Sequence, residues 1–342
     1  GGPLVSTRHH FVVYGDCCSG IPGALHEETA ASVNRVVAAL RPPPDFVCFL
    51  GDEVMGLTTD EADLRAQWRF WLDHEMAWLD RSSTPLYNVP ANHTTYDAMS
   101  ERVYAEVMTH LPANGPVGQE RLTYFVRRGD LLMVFVNTAS TALGEGRVET
   151  DWLEDALRLH ADARHKLVFG HHPVWPVNGF SGAYQRELEP ENGRRFWAVL
   201  RRHGVLAYFC SHMLAFDVQV HAGILQVLTA GAGTAHLMPP EWEYLHAVSA
   251  VLDESGLLAG KARSTVLDRG KGIGRTQIDR RVERAVAGVG VVAVMDGAGG
   301  ETGAGVFVVA HGTALKVGSG PYLNGSSATM KNAPADDSTR AP

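Results

Sequence analysis

The sequence predicts an α/β protein built on a buried sheet. Short runs of Val, Phe, Leu and Cys recur along the chain, each too brief for a helix and each closed by a Gly, a Pro or a polar residue. Between them lie longer segments with apolar residues at helical spacing. Strands that alternate with helices place a sheet between helical layers.

In chain order, Phe11 to Tyr14 reads as a strand closed by Gly15-Asp16. Ala30, Val33, Val36, Val37 and Leu40 carry a helical stripe over Glu27 to Leu40, which Arg41 and Pro42 to Pro44 end. Asp45 to Leu50 is a second strand, closed by Gly51-Asp52. Thr58 and Glu61 have capping-box spacing and predict a long helix to Asp80, with Trp68, Trp71 and Trp78 as packing residues. Leu86 to Val89 is a third strand, ending in Pro90-Ala91-Asn92-His93, and a helix follows around Tyr96 to His110. Thr123 to Arg127 and Leu131 to Val136 read as a hairpin, and Asp151 to Ala161 as an amphipathic helix. Lys166 to Phe169 is a strand that breaks at Gly170 and presents His171 and His172 before Pro173. A loop over Asn178 to Tyr184 is long enough to act as a lid, and Glu191 to His203 is helical. Leu206 to Phe209 is a strand ending at Cys210-Ser211-His212, and Asp217 to His221 with Ile224 to Leu228 form a hairpin.

From Gly256 the composition turns to Gly, Ala and Val, with candidate strands at Val306 to Ala310 and Ala314 to Val317 and a last dozen residues that read as disordered. The expected organisation is one domain over 8–255 and an extension over 256–342, partly β or disordered.

Composition narrows the function. The 342 residues include 45% hydrophobic types, enough for a substantial core. Thirty basic against 38 acidic residues give a net charge of −8, with the acids dispersed, which argues against a nucleic-acid binder but leaves room for a small phosphorylated substrate held by metal ions. No apolar run approaches the ~20 residues that span a bilayer. The four cysteines, Cys17, Cys18, Cys48 and Cys210, form no disulfide framework and suit a reducing compartment. The first residues show neither a charged nor an apolar leader segment, so the expected location is cytoplasmic.

In α/β sheets, functional groups gather beyond the carboxyl ends of the strands. Asp16, Asp52, Asn92-His93, His171 and His212 each follow a strand here. Singly, such residues are often helix caps, turn residues or satisfied histidines; five strand ends bearing ligand-type side chains form a far more specific pattern. Carboxylate, amide oxygen and imidazole together suit Mn, Fe or Zn, one or two ions per chain. A carboxylate such as Asp52 could bridge two ions, which clamp an in-line displacement at phosphorus, and His93 could protonate the departing alkoxide.

The ordered set Gly15-Asp16, Gly51-Asp52, Asn92-His93, Gly170-His171 and Ser211-His212 resembles the calcineurin-like metallophosphoesterase superfamily, which includes purple acid phosphatases and cyclic nucleotide phosphodiesterases. The resemblance covers roughly Arg8 to Glu254. It implies a four-layer α/β/β/α sandwich of two mixed sheets, with Asp52 bridging, Asn92, His171 and His212 completing one metal site, and His93 as acid. The chain departs from the pattern in four places, the mildest being Ala91 where Gly is usual. Cys18 stands where His is usual, Met55 where purple acid phosphatases carry Tyr, and Leu214 where a second His is usual. Cys18 reads either as a thiolate ligand or as a small buried residue. The favoured function is hydrolysis of phosphoric monoesters or diesters. The alternatives are a non-catalytic scaffold and a mononuclear enzyme acting on an atypical ester. The sequence fixes neither substrate nor oligomeric state.

Overall fold

The computed structural model describes residues 8–177, 187–234 and 245–253, apart from the side chain of Leu25, together with the backbone of five later strands at 256–264, 289–293, 296–298, 301–303 and 306–310. The expected lid over Asn178 to Tyr184, the strand at Ala314 to Val317 and the chain end lie outside the described residues.

Two sheets form the centre. The strands of the first sheet that come before residue 90 are β1 (His9–Tyr14), β2 (Phe46–Phe49) and β3 (Leu86–Asn88), paired in parallel. The second sheet holds β4 (Tyr124–Arg128), β5 (Leu131–Phe135), β6 (His165–Phe169), β7 (Ala207–Cys210), β8 (Phe216–His221) and β9 (Ile224–Thr229), in the order β4-β5-β6-β7-β9-β8. β5, β6, β7 and β9 run parallel, and β4 and β8 are antiparallel edges, so this sheet is mixed.

A strand that the sequence reading did not contain, β10 (Leu245–Asp253), lies antiparallel to β1. β11 (Gly256–Ser264) pairs with it from Leu245↔Ser264 to Asp253↔Gly256, so these two paired strands lie on either side of the expected boundary at residue 256. β12 (Val289–Ala293), β13 (Asp296–Ala298), β14 (Glu301–Gly303) and β15 (Val306–Ala310) follow; β13 and β14 extend the first sheet, and β12 pairs with β15.

The helices are α1 (Leu25–Ala38), α2 (Glu61–Phe70), α3 (Ala98–Val107), α4 (Thr150–Leu159) and α5 (Pro190–Arg202). The expected Thr58 cap is corrected: Asp60 caps α2, its carboxylate accepting from the Ala62 and Asp63 N–H groups. The helix also stops short of Asp80. It passes at Trp71 into a π turn, Trp71–Glu75, which brings Glu75 against the loop after β1, where its carboxylate accepts from the Gly20 N–H at 2.9 Å. Among the described residues no helix is long and apolar enough to cross a membrane.

Period-two alternation explains the layers. In β6, Leu167 and Phe169 face the first sheet, while Val168 joins a second apolar cluster with Leu153 and Leu157 of α4 and Phe196 and Leu200 of α5. On the far side, Ala30, Val33 and Val37 of α1 and Leu64 and Trp68 of α2 cover the first sheet. Helices, sheet, sheet, helices is therefore the order of the layers. Between the sheets, ring contacts close a circuit from Phe11 through Phe46, Tyr87, Phe135, Phe169 and Phe209 back to Phe11, with centroids 4.8–5.9 Å apart. Phe135, Phe169 and Phe209 are register partners on neighbouring strands, so pairing itself stacks them.

Candidate metal centre

The strand ends of both sheets meet at one edge. Because β1 and β2 are parallel neighbours, their following loops run side by side. The Asp16 N–H donates to the Gly51 carbonyl at 3.0 Å, and the Cys17 and Cys18 N–H groups both donate to the Asp52 carbonyl, at 3.0 and 2.7 Å. β6 and β7 do the same for the other pair, with the Ser211 N–H on the His171 carbonyl at 2.8 Å. The chain turns sharply at four of these positions. Asp16, Cys18, Asp52 and His212 all hold positive φ, at 66°, 41°, 54° and 69°. Such backbone is costly for residues other than glycine, and it clusters where surrounding structure holds a working geometry in place.

His171 is the hub, fully buried. Its Nδ1 lies 2.7 Å from the Leu50 carbonyl, which can only accept, so Nδ1 carries the ring hydrogen. Nε2 is then left 2.9 Å from His212 Nδ1, 3.1 Å from Asn92 Oδ1 and 3.5 Å from Asp52 Oδ2. In the neutral ring a lone pair faces a carboxylate and an amide oxygen, an arrangement that a positive charge on the ring reconciles. With a proton there, the His171 pKa is raised to about 9: burial opposes the charged ring, but the carboxylates of Asp52 and Asp16 outweigh it. A metal ion would satisfy the same contacts. Donors ~2.0–2.2 Å from an ion stand ~3.0–3.5 Å from one another at right-angle to tetrahedral spacing, which matches the separations seen. The donor set and its geometry therefore fit a divalent cation, and the Leu50 carbonyl fixes the tautomer a ligand needs.

Asp52, also buried, feels burial pushing its pKa up, but His171 and then His93 hold it below the usual carboxylate range. Its Oδ1 accepts the His93 N–H at 3.0 Å. The His93 ring is half-buried, with Nδ1 against the Met55 carbonyl at 2.7 Å. Ligand atoms of Cys18, Asp52 and His93 all lie within 4.8 Å of one another, as do those of Asp52, His171 and His212. Asp52 alone belongs to both groups.

Asp16 is buried a step away. Its Oδ2 accepts from the Ser211 hydroxyl and from the His212 N–H at 3.1 Å, tying the first loop to the last. Burial, with Asp52 nearby, pushes its pKa up to about 6 against the pull of His171. Cys18 faces Asp52, and its thiol is pushed up by burial and then by the Asp52 and Asp16 charges. Leu214 is buried among Met213, Ala215 and the apolar residues beneath the second sheet.

A third cluster joins Glu145, His172 and His212, again within 4.8 Å. His172 is buried, with Nδ1 2.8 Å from Thr138 Oγ1 and Nε2 3.1 Å from Glu145 Oε1. The sequence reading ranked His172 below His171 and missed Glu145. Glu145 lies in the loop after β5, well past the strand's end, where no sequence pattern marks it. Of the more distant candidates, His221 stacks on Trp175 at 4.1 Å, and Arg195 pairs with Asp151 on an exposed helix face. Tyr184, Arg186 and His236 lie outside the described residues.

No family profile matches the sequence, and no curated protein does. Solved structures do. A purple acid phosphatase from yellow lupin (Lupinus luteus) seeds superposes with a TM-score of 0.57 and 15% identity, over 76% of this chain and 52% of that one. A dimetal phosphatase from Danio rerio gives 0.52 and 16%, over 75% and 96%. The chain has the calcineurin-like metallophosphoesterase fold. The chain thus spans about half the length of the lupin enzyme and nearly all of the zebrafish one. The metallophosphoesterase fold is also that of GAP50, described as the anchor in the inner membrane complex of Plasmodium, at 0.55 and 12% over 81% and 90%.

Proposed function

We propose that the protein hydrolyses phosphoric monoesters or diesters of small phosphorylated molecules with a bound divalent ion, Mn, Fe or Zn. The observation that carries this is His171 Nε2, buried and facing Asn92 Oδ1, His212 Nδ1 and Asp52 Oδ2 at 2.9–3.5 Å. Asp52, Asn92, His171 and His212 would hold the ion; Asp16 would add to the acidic side of the pocket through Oδ1, since Ser211 and His212 occupy Oδ2. When bound, the ion supplies Lewis-acid polarisation of the phosphoryl oxygens and lowers the pKa of water. The residues of the chain do the rest. The Leu50 carbonyl orients His171, and the His93 N–H orients Asp52. His93 keeps its Nδ1 hydrogen on the Met55 carbonyl, and the doubly protonated form of this partly exposed ring would deliver its Nε2 hydrogen to the leaving alkoxide and be left as the neutral Nδ1–H ring. All four cysteines are buried and free, which fits a reducing, cytoplasmic setting.

The test is hydrolysis of p-nitrophenyl phosphate and its bis-ester by protein loaded with Mn²⁺, Fe²⁺ or Zn²⁺. His93→Ala should lower turnover ~100-fold or more and leave metal content unchanged. Metal-loaded wild-type protein that is inert toward a broad phosphoester panel would sink the reading.

Leu214, buried in the core where a further ligand would stand, favours a second reading, a partner-binding scaffold. Protein that holds no ion, and whose stability a chelator leaves unchanged, would favour it.

A further inference from the structure

The position beside Asp16 is poor in donors in this chain. Besides the shared Asp52 it offers Asp16, one of whose oxygens is taken by Ser211 and His212, Cys18, and His93, which the proposed reaction uses as acid, while Leu214 points into apolar packing. A better donor set stands on the other flank of His212. We propose that Glu145, His172 and His212 hold a further divalent cation, of the zinc class, alongside the ion at His171, with His212 shared as a bridging imidazolate whose second ring proton passes to solvent. This rests on the reading that Asp52, Asn92, His171 and His212 hold that first ion.

Three observations carry it. The chemistry is two imidazoles and one carboxylate, a set that suits borderline ions and leaves coordination positions for water or substrate. The geometry is already convergent. His172 Nε2 and Glu145 Oε1 are 3.1 Å apart, the spacing of neighbouring ligands, and the rings of His172 and His212 lie 4.2 Å apart between centroids. Finally, His172 is held from behind. The Thr138 hydroxyl meets His172 Nδ1 at 2.8 Å and accepts the His172 N–H at 3.1 Å, while the Tyr208 hydroxyl donates to the His172 carbonyl at 2.6 Å. Such backing fixes a ligand's orientation. Glu145 is the exposed member. Its side chain is 61% exposed, on a turn whose flanking Gly144 and Gly146 take φ of 92° and 78°. The turn is pinned where the Gly146 N–H donates to the Thr138 carbonyl and its carbonyl accepts the Glu189 N–H, each at 2.8 Å. A small side-chain rotation closes Glu145 on an ion without moving the backbone.

The experiment measures metal, not turnover. Wild type, Glu145→Gln, His172→Ala and His171→Ala are loaded with Zn²⁺, passed over a desalting column and analysed for metal per chain, with Zn²⁺ titrated into stripped protein by calorimetry. Glu145→Gln, a surface change, keeps the result readable if His172→Ala fails to fold. The expected result is that Glu145→Gln and His172→Ala each weaken one equivalent by at least about tenfold and spare the equivalent that His171→Ala removes. Wild-type stoichiometry and affinity in Glu145→Gln overturn the further site and leave the phosphoesterase reading standing. Wild-type protein that binds no Zn²⁺ overturns both.

Discussion

Gly51→Ala places a methyl group against the segment after β3 and the ring of His171. Gly51 sits at φ 89°, and an added Cβ would come 2.5 Å from the Ala91 Cβ, 3.0 Å from His171 Nδ1 and 3.2 Å from the Val89 carbonyl oxygen. Two costs combine. A left-handed backbone costs an L-residue ~1–2 kcal/mol, and forcing a methyl into filled space costs ~1–3 kcal/mol, so the sum is ~2–5 kcal/mol. Gly23→Ala isolates the first cost, because Gly23 has φ 77° and nothing within 4 Å of an added Cβ. Urea unfolding of the two variants against wild type should show Gly51→Ala losing ~1–3 kcal/mol more than Gly23→Ala, the overpacking cost alone. Because the methyl presses on the nitrogen that the Leu50 carbonyl holds at 2.7 Å, Zn²⁺ affinity should fall in Gly51→Ala and stay unchanged in Gly23→Ala. Equal losses in the two variants would refute the claim that this glycine exists to let the loop of β2 touch His171.

Glu53 is fully buried, with Oε1 accepting from Asn88 Nδ2 at 2.8 Å and Oε2 without a partner among the described residues, and burial raises its pKa from 4.5 to about 8. A pKa raised on folding means that the folded state binds the extra proton. Metal-free wild type should therefore lose stability as pH rises from 4.5 to about 8, on the order of a few kcal/mol, and Glu53→Gln should flatten that slope when unfolding is followed against pH. Phe209→Ala removes a ring that stacks on Phe169 at 5.2 Å and meets Phe11 edge-on at 5.9 Å; it should cost ~3–5 kcal/mol in denaturant unfolding, and Phe209→Leu much less. Asp97→Ala breaks the box in which Asp97 accepts the Ser100 N–H and the Ser100 hydroxyl accepts the Asp97 N–H; a loss of ~1 kcal/mol is expected, and no loss at all would mean that α3 is held by packing alone.

Much of the architecture was legible in the sequence because sheet strands covered on both faces need unbroken apolar runs. Val12, Val47, Val168 and Phe209 sit at 0% exposure in such runs. β10 was not legible. Leu-His-Ala-Val-Ser-Ala-Val-Leu-Asp intersperses polar residues, and it is a strand because β1 and β11 offer it two antiparallel partners. The cap at Asp60 instead of Thr58 was a local choice between two competent residues, settled when Thr58 Oγ1 accepted the Asp60 N–H. Glu145 escaped because a carboxylate in a surface loop carries no periodic signal; only its 3.1 Å approach to His172 marks it.

The sequence by itself determined which residues stand at strand ends, since hydrophobic runs fix the strands and the next polar residue must emerge at their edge. Only the tertiary structure decided that the ends from two different sheets face each other. Asp16 and Asp52 come from one sheet, His171 and His212 from the other, and the aromatic packing between the layers sets how closely they meet. Pairing within a sheet is a matter of neighbouring strands. Apposition between sheets depends on how side chains far apart in the chain fill a shared interior, and no local pattern encodes that.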